Sequence, residues 1–389
     1  MKAHLLFAAL ALAATSFAAS TGSPFYGDPP DERHPWCVHD WNRPQPPRVE
    51  PQPYKPCPPP DGAIVLFDGT EASLRANWVA DKDGAPTKWI VRDGAMECVP
   101  KSGYVRTREN FGDCQLHVEW AAPTKIEGES QGRGNSGIFL PGGPEIQVLD
   151  NYNNPTYADG FACSVYGTAP PLANALRPPG EFQQIDILYR RPIYKDGQCI
   201  CPGYVTVYCN GVLVQDKTQL EGPGGHMRRT KPCPLGDGPL KLQDHGNPVR
   251  FRNIWLKPLP PRTEPEPGIH GPMSIEETAA LRKQIAAAIR EDAAKKPAGS
   301  LEQMLRYAES LVYEKDDPTF QKVDQMAAQY VASVKALSAD KLEGKKNEIK
   351  SIFRIFSYLT KHNIVPAAFA PRADLETLIK AQGWDKEKK

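Results

Sequence analysis

The sequence predicts a mainly β protein, an antiparallel β-sandwich or barrel followed by a small α-helical bundle. Between Gly62 and Pro260 short alternating apolar and polar segments are bounded by Gly, Pro, Asn and Asp, the pattern of an all-β domain. Beyond the proline-charged stretch Pro258 to Pro267 the apolar period becomes 3.6 residues, that of amphipathic helices. With 389 residues the chain has room for two or three domains. The 47 Lys and Arg against 46 Asp and Glu give a net charge of +1, which argues against nucleic acid or anionic lipid as a partner.

In chain order, Lys2 followed by the apolar run Leu5 to Ala14 and the small residues up to Ala19 form an expected signal peptide over 1–19. The run is too short to span a bilayer, and no other stretch is long and apolar enough, so export to the periplasm or beyond the cell is expected. Residues 20–61 are proline-rich, as in Cys57-Pro58-Pro59-Pro60, and favour an extended arm that Trp36 and Trp41 fasten onto the next domain. Strands are expected at Ala63 to Phe67, Trp89 to Arg92, Cys114 to Trp120, Gly137 to Leu140, Glu145 to Leu149 and Gln183 to Leu188, within a β domain over 62–260. Tyr204 to Cys209 and Val212 to Asp216 flank Asn210-Gly211, a pair suited to a hairpin turn in which both residues take positive φ. After a linker over 261–271, residues 272–389 should form the bundle. Its first helix opens on the capping box Ser274 with Glu277 and runs to about Lys295; others start at Ser300 and span Pro318 to Leu337, Lys341 to His362 and Asp374 to Ala381.

The nine cysteines are confined to the arm and the β domain. In an oxidising compartment their expected state is disulfides with at least one thiol left over. Metal-ligand spacing is weak: the cluster His34-Pro35-Trp36-Cys37-Val38-His39 has no second half nearby.

Three segments carry candidate chemistry. Leu116 to Trp120 sets His117 and Glu119 on one face of a strand. In Asn135 to Asp150, a four-residue turn closed symmetrically would set Ile138 against Gln147 and Asn135 against Asp150, with Glu145 and Gln147 sharing a face. Gln243-Asp244-His245 precedes a strand on which Arg250 and Arg252 point one way while Val249 and Phe251 point the other. Carboxylates, an imidazole and guanidiniums can supply an acid, a base and an anion clamp. They can equally be surface ion pairs.

Taken together, Leu66-Phe67-Asp68-Gly69, Glu119-Trp120, Asn135 to Phe139, Glu145 to Asn151, Tyr166-Gly167, Gly180-Glu181, Asn210-Gly211, Gln243 to Gly246 and Val249 to Ile254 resemble the 3-keto-disaccharide hydrolase family. The resemblance departs at Pro141, where such sequences usually carry Arg, and at Phe182-Gln183 in place of Trp-Asn. It implies a concanavalin-like jelly roll acting on glycosides oxidised at C3 of the sugar, by elimination with hydration or net hydrolysis. On this reading His245 or Glu145 transfers protons, Asp150 and Glu119 orient or share that task, and Arg252 stands near the oxyanion. Asn135, Gln147, Tyr166, Gln243 and Arg250 complete the substrate contacts. A divalent metal ion held by carboxylates such as Glu119 and Asp150 is the open alternative to the guanidinium; no other cofactor is expected. The rival reading is a carbohydrate-binding module without catalysis, which needs hydrogen bonds and an aromatic platform but no acid and base.

Overall fold

The computed structural model describes residues 24–386. The expected leader lies outside them. The first strands are β1 (Ile64–Phe67), β2 (Trp78–Ala80), β3 (Ile90–Arg92), β4 (Ala95–Glu97), β5 (Val105–Thr107) and β6 (Cys114–Ala121), with the short helix α1 (Glu71–Asn77) after β1. Next come β7 (Asn135–Phe139), β8 (Glu145–Leu149), β9 (Gln183–Arg190), β10 (Ile193–Lys195) and β11 (Gln198–Cys201). The last four are β12 (Gly203–Cys209), β13 (Val212–Leu220), β14 (Lys241–Leu242) and β15 (Arg250–Pro258). Eight strands form one antiparallel sheet in the order β13-β12-β9-β6-β15-β4-β3, with β1 also pairing β15; five form the other, β2-β5-β14-β7-β8.

Alternation decides what each sheet buries. Leu116, Val118 and Trp120 of β6 join Ile138, Ile146 and Val148 of β7 and β8 in one core between the sheets. The odd-numbered partners His117, Glu119, Glu145 and Gln147 therefore point outward, and from opposite sides of the sandwich. On β15 the alternation is interrupted: Arg252 pairs Glu119 while Trp255 pairs His117, and the extra residue is taken up as a bulge at Asn253, whose φ is +45°. Phe251, Ile254 and Leu256 are thereby all buried in the core, while Arg250 and Arg252 face outward as expected. The Asn210-Gly211 turn has φ of +49° and +76°, as its sequence requires.

The β7–β8 register corrects the sequence reading by one residue. Gly137 pairs Gln147, Ile138 pairs Ile146 and Asn135 pairs Leu149, because a Leu140 N–H to Pro144 O bond of 2.7 Å closes the connection around Pro141, Gly142 and Gly143, one residue fewer than a symmetric four-residue turn. Six helices follow: α2 (Ile275–Lys295), α3 (Leu301–Tyr313), α4 (Asp317–Lys335), α5 (Ala339–Gly344), α6 (Lys346–Lys361) and α7 (Ala370–Ala381). The Ser274–Glu277 capping box is present. The single helix expected from Lys341 to His362 is broken at Lys345 into α5 and α6.

The proline-rich arm is a structural bridge. Phe25 and Cys37 insert into the bundle core, and Tyr358 Oη donates to Gly27 O at 2.8 Å. A fragment of residues 272–389 should accordingly be strongly helical by circular dichroism yet melt well below the same helices in the full chain. Equal melting would mean that the arm contributes nothing to that core.

All nine cysteines are free thiols, so the expected disulfides are not formed in the structure. Cys98, Cys114, Cys163 and Cys209 serve as small apolar side chains in the sandwich core and Cys37 does so in the bundle, while Cys57 lies elsewhere on the arm.

Candidate active site

The outer face of the five-stranded sheet carries the denser chemistry. Glu145 stands on β8 opposite Phe139 of β7, and its carboxylate occupies the space where any side chain at Gly137 would lie. It is 8% exposed, and burial pushes its carboxyl up to about 8. Glu145 is therefore an acid that holds its proton at neutral pH. Gln147, two residues on, donates from Nε2 to Gln131 Oε1 at 3.0 Å, and Asn135 Nδ2 donates to Gln131 O at 2.9 Å. Gln131 is itself fixed by donating to Thr156 Oγ1 and Gly160 O, both at 3.0 Å. Asn135 Oδ1 remains buried with no partner, an acceptor ready for a hydroxyl. On the other flank Gln243 Nε2 donates to Tyr104 Oη at 2.8 Å, and Tyr104 packs on Phe139.

The arm closes this face. His39, 3% exposed, adopts φ +61°, a left-handed conformation that costs about 1–2 kcal/mol for a residue with a Cβ. Asp159 holds it twice, accepting the His39 backbone N–H at Oδ2 (3.0 Å) and Nδ1 at Oδ1 (3.3 Å). Burial alone would raise the Asp159 carboxyl, but the hydrogen bonds from His39 and the nearby Arg43 charge hold it below its ordinary value. The ring stacks on Tyr157 at 4.1 Å and lies 4.9 Å from Tyr166, while its Nε2 is buried with no partner. An imidazole that donates through Nδ1 to a carboxylate presents Nε2 as a free lone pair.

Tyr166 connects this pair to Glu145. Its backbone N–H donates to Glu145 O at 3.1 Å, and its hydroxyl bonds Tyr157 Oη at 3.1 Å and His226 Nδ1 at 3.3 Å. Tyr26 of the arm bonds the other nitrogen of His226 at 2.8 Å. Burial depresses the His226 basicity. Through Tyr166 this side of the sandwich thus links Glu145, with Gln147, Asn135 and Gln243 on the same sheet, to His39, Asp159, Tyr157 and His226, which the sequence reading missed. The run Val38-His39-Asp40 beside Trp36 was the available signal, hidden by its place in a proline-rich arm.

The remaining expected residues lie elsewhere. His245 is exposed on the turn after Gln243, at the rim. Asp150 receives Arg133 Nε at 2.9 Å and the Tyr152 N–H at 3.2 Å, so it braces the loop after β8. Glu119, Arg250 and Arg252 belong to the outer face of the eight-stranded sheet, on the far side of the core, where they cannot meet Glu145. There Glu119 accepts from Arg252 Nε (2.7 Å), Asn253 Nδ2 (3.1 Å) and Tyr54 Oη (3.1 Å), and Arg252 lies over the Phe182 ring at 3.9 Å. Burial would raise the Glu119 carboxyl, but the nearby His117 ring and the hydrogen bonds from Arg252 and Asn253 bring it down to about 2. The expected pairing of Glu119 with Asp150 around one metal ion is not made, since the two sit on different sheets and each already holds a guanidinium.

Residues 62–257 match the 3-keto-alpha-glucoside-1,2-lyase-like domain. A 3-keto-disaccharide hydrolase of Bacteroides thetaiotaomicron is 26% identical over 247 residues, which cover 51% of this chain and 79% of that protein. A crystal structure of a putative glycosyl hydrolase from Parabacteroides distasonis ATCC 8503 is 43% identical, covers 54% of this chain and 94% of its own, and superposes with a TM-score of 0.49. A second such structure from the same organism is 22% identical over 51% of this chain and 95% of its own, with a TM-score of 0.36. The sandwich that carries Glu145 and Gln147 is thus a carbohydrate-active domain, and the chain belongs to the 3-keto-alpha-glucoside-1,2-lyase-like family.

Proposed function

We propose that this protein cleaves 3-keto-glycosides at the anomeric bond. The observation that carries the proposal is that Tyr166 joins a buried carboxyl held protonated at neutral pH, Glu145, to an unpartnered imidazole nitrogen, Nε2 of His39. A binding module has no use for such a pair. The C3 ketone acidifies the hydrogen on C2, so an imidazole is strong enough to remove it. His39 Nε2 takes that proton and Asp159 stabilises the resulting imidazolium, while the hydroxyls of Tyr166 and Tyr157 are the donors nearest for the enolate oxygen. The electron pair left on C2 then forms the C1–C2 double bond, and the bond from C1 to the leaving oxygen breaks. Glu145 gives that oxygen its proton. Water adding across the double bond would make the net result hydrolysis. Gln147 and Asn135 bind sugar hydroxyls, and the expected leader would place the reaction outside the cytoplasm.

Product analysis by NMR tests the reading, with a 3-keto-glucoside and its unoxidised counterpart as substrates. Release of the aglycone from the oxidised sugar alone is the expected result. Binding of both sugars with turnover of neither would make the protein a lectin. Gln147→Ala removes a hydroxyl contact and no proton transfer, so it should raise KM more than it lowers kcat.

A further inference from the structure

A second cluster lies on the opposite side of the sandwich, beneath the proline-rich arm. Cys57, His117 and Asp186 offer a sulfur, a ring nitrogen and a carboxylate oxygen that all lie within 4.8 Å of one another. We propose that these three side chains form a zinc site that clasps the arm to the eight-stranded sheet. The inference is independent of the reaction assigned to the other face, and Cys57 precedes the matched segment 62–257.

The geometry is built from three separate parts of the chain. His117 on β6 and Asp186 on β9 are direct cross-strand partners, with His117 Nδ1 to Asp186 Oδ1 at 2.7 Å. Cys57 comes from the arm, between Pro56 and Pro58, and its Sγ is 3.9 Å from the same oxygen. Its position is not left to a mobile loop: Asn253 Nδ2 and Trp255 Nε1 both donate to the Cys57 carbonyl at 3.1 Å. Tetrahedral zinc with bonds of about 2.0–2.3 Å needs donor atoms roughly 3.2–3.6 Å apart, so side-chain movements of under about 1 Å suffice.

The donor set points to zinc over other ions. One thiolate, one imidazole and one carboxylate suit a borderline-soft, tetrahedral ion and fit poorly with calcium or magnesium, which take oxygen alone. The surroundings also match what a metal-bound imidazole requires. The His117 side chain is fully buried, its ring stacks on Trp255 at 5.3 Å and 14°, and its far nitrogen Nε2 faces Glu119 Oε1 at 3.6 Å. A carboxylate behind a ligating histidine fixes the ring and strengthens it as a donor. Glu119 is itself locked by Arg252, Asn253 and Tyr54. Asp186 is partly exposed, so the ion has a way in and solvent can fill the fourth position.

The test uses the full chain, stripped with a chelator and then given zinc alone or cobalt(II) alone. One equivalent of cobalt should produce a thiolate-to-metal charge-transfer band with the intensified visible bands of four-coordinate cobalt, and zinc should displace it. Cys57→Ser and His117→Gln should each abolish the charge-transfer band, whereas Cys199→Ser, which changes an exposed cysteine outside the cluster, should leave it intact. Glu119→Gln should weaken zinc binding by about 10–100-fold without removing a ligand. Zinc should also raise the melting temperature of the wild type but not of Cys57→Ser. Absence of the band in the wild type, its persistence in Cys57→Ser, or its loss in Cys199→Ser would overturn the assignment.

Discussion

Replacing His39 by Gln is expected to lower kcat on a 3-keto-glucoside by about 100 to 10,000-fold with little change in KM, the range for losing a general base. Gln preserves a polar side chain of similar reach beside Asp159 but has no basic nitrogen for the pocket. The loss should therefore be confined to kcat, an outcome that simple loosening of the arm would not produce. Thermal melts separate the two cases further. By contrast His245→Ala, at the exposed rim, should retain most of the turnover. A His39→Gln enzyme with near-wild-type kcat would remove His39 from the mechanism and move the base to His226 or His245.

Glu145→Gln should be nearly as damaging to turnover, by about 100-fold or more, because an amide cannot protonate the leaving oxygen. It should also stabilise the protein, and the sign follows from proton binding. The folded Glu145 carboxyl holds its proton up to about pH 8, while the unfolded chain releases it near the ordinary value of 4.5. The native state thus binds more protons in that window, and its stability falls as pH rises from about 4.5 to about 8. Gln has no charge to desolvate. Denaturant midpoints at pH 5 and pH 8 should differ less for Glu145→Gln than for the wild type, and the variant should be the more stable at pH 8. Unchanged pH dependence would mean that Glu145 is already ionised at neutral pH, which would end its role as the acid. In the wild type the same ionisation should make activity decline above about pH 8.

Local signals read well from the sequence because local physics determines them. The Asn-Gly hairpin, the strand Glu145–Leu149 and the Ser274 cap each depend on a few adjacent residues. Register was less accessible, since the inclusion of Pro144 in the ladder opposite Leu140 shows itself only through the bond that closes the turn. Sheet membership was not accessible at all. Glu119 and Glu145 both alternate outward on their strands, and nothing near either residue says that the core lies between them. The bulge at Asn253 is similarly nonlocal, visible only in the pairing of Arg252 and Trp255 with β6. The resemblance drew attention to Glu145, Gln147 and Tyr166 but ended at Gly62, which is why a histidine on the arm escaped it.

The turn that presents His39 is held from the far end of the chain. Asp40 accepts the Cys37 and Asn42 backbone N–H groups and the hydroxyl of Tyr313, while Asn42 Nδ2 donates to Glu309 at 2.6 Å and Asn42 Oδ1 accepts from Arg306 at 2.9 Å. Both residues directly follow the strained position, and all three of their helical partners are on α3. In chain order the β domain, with Glu145, is complete more than forty residues before α3 begins. Without α3 the left-handed backbone at residue 39 rests on Asp159 and Tyr157 of the β domain alone. The bundle thus braces, from the far end of the chain, the turn on which the proposed base sits, so that the rigidity of the proposed proton-transfer pair depends on the last domain having folded.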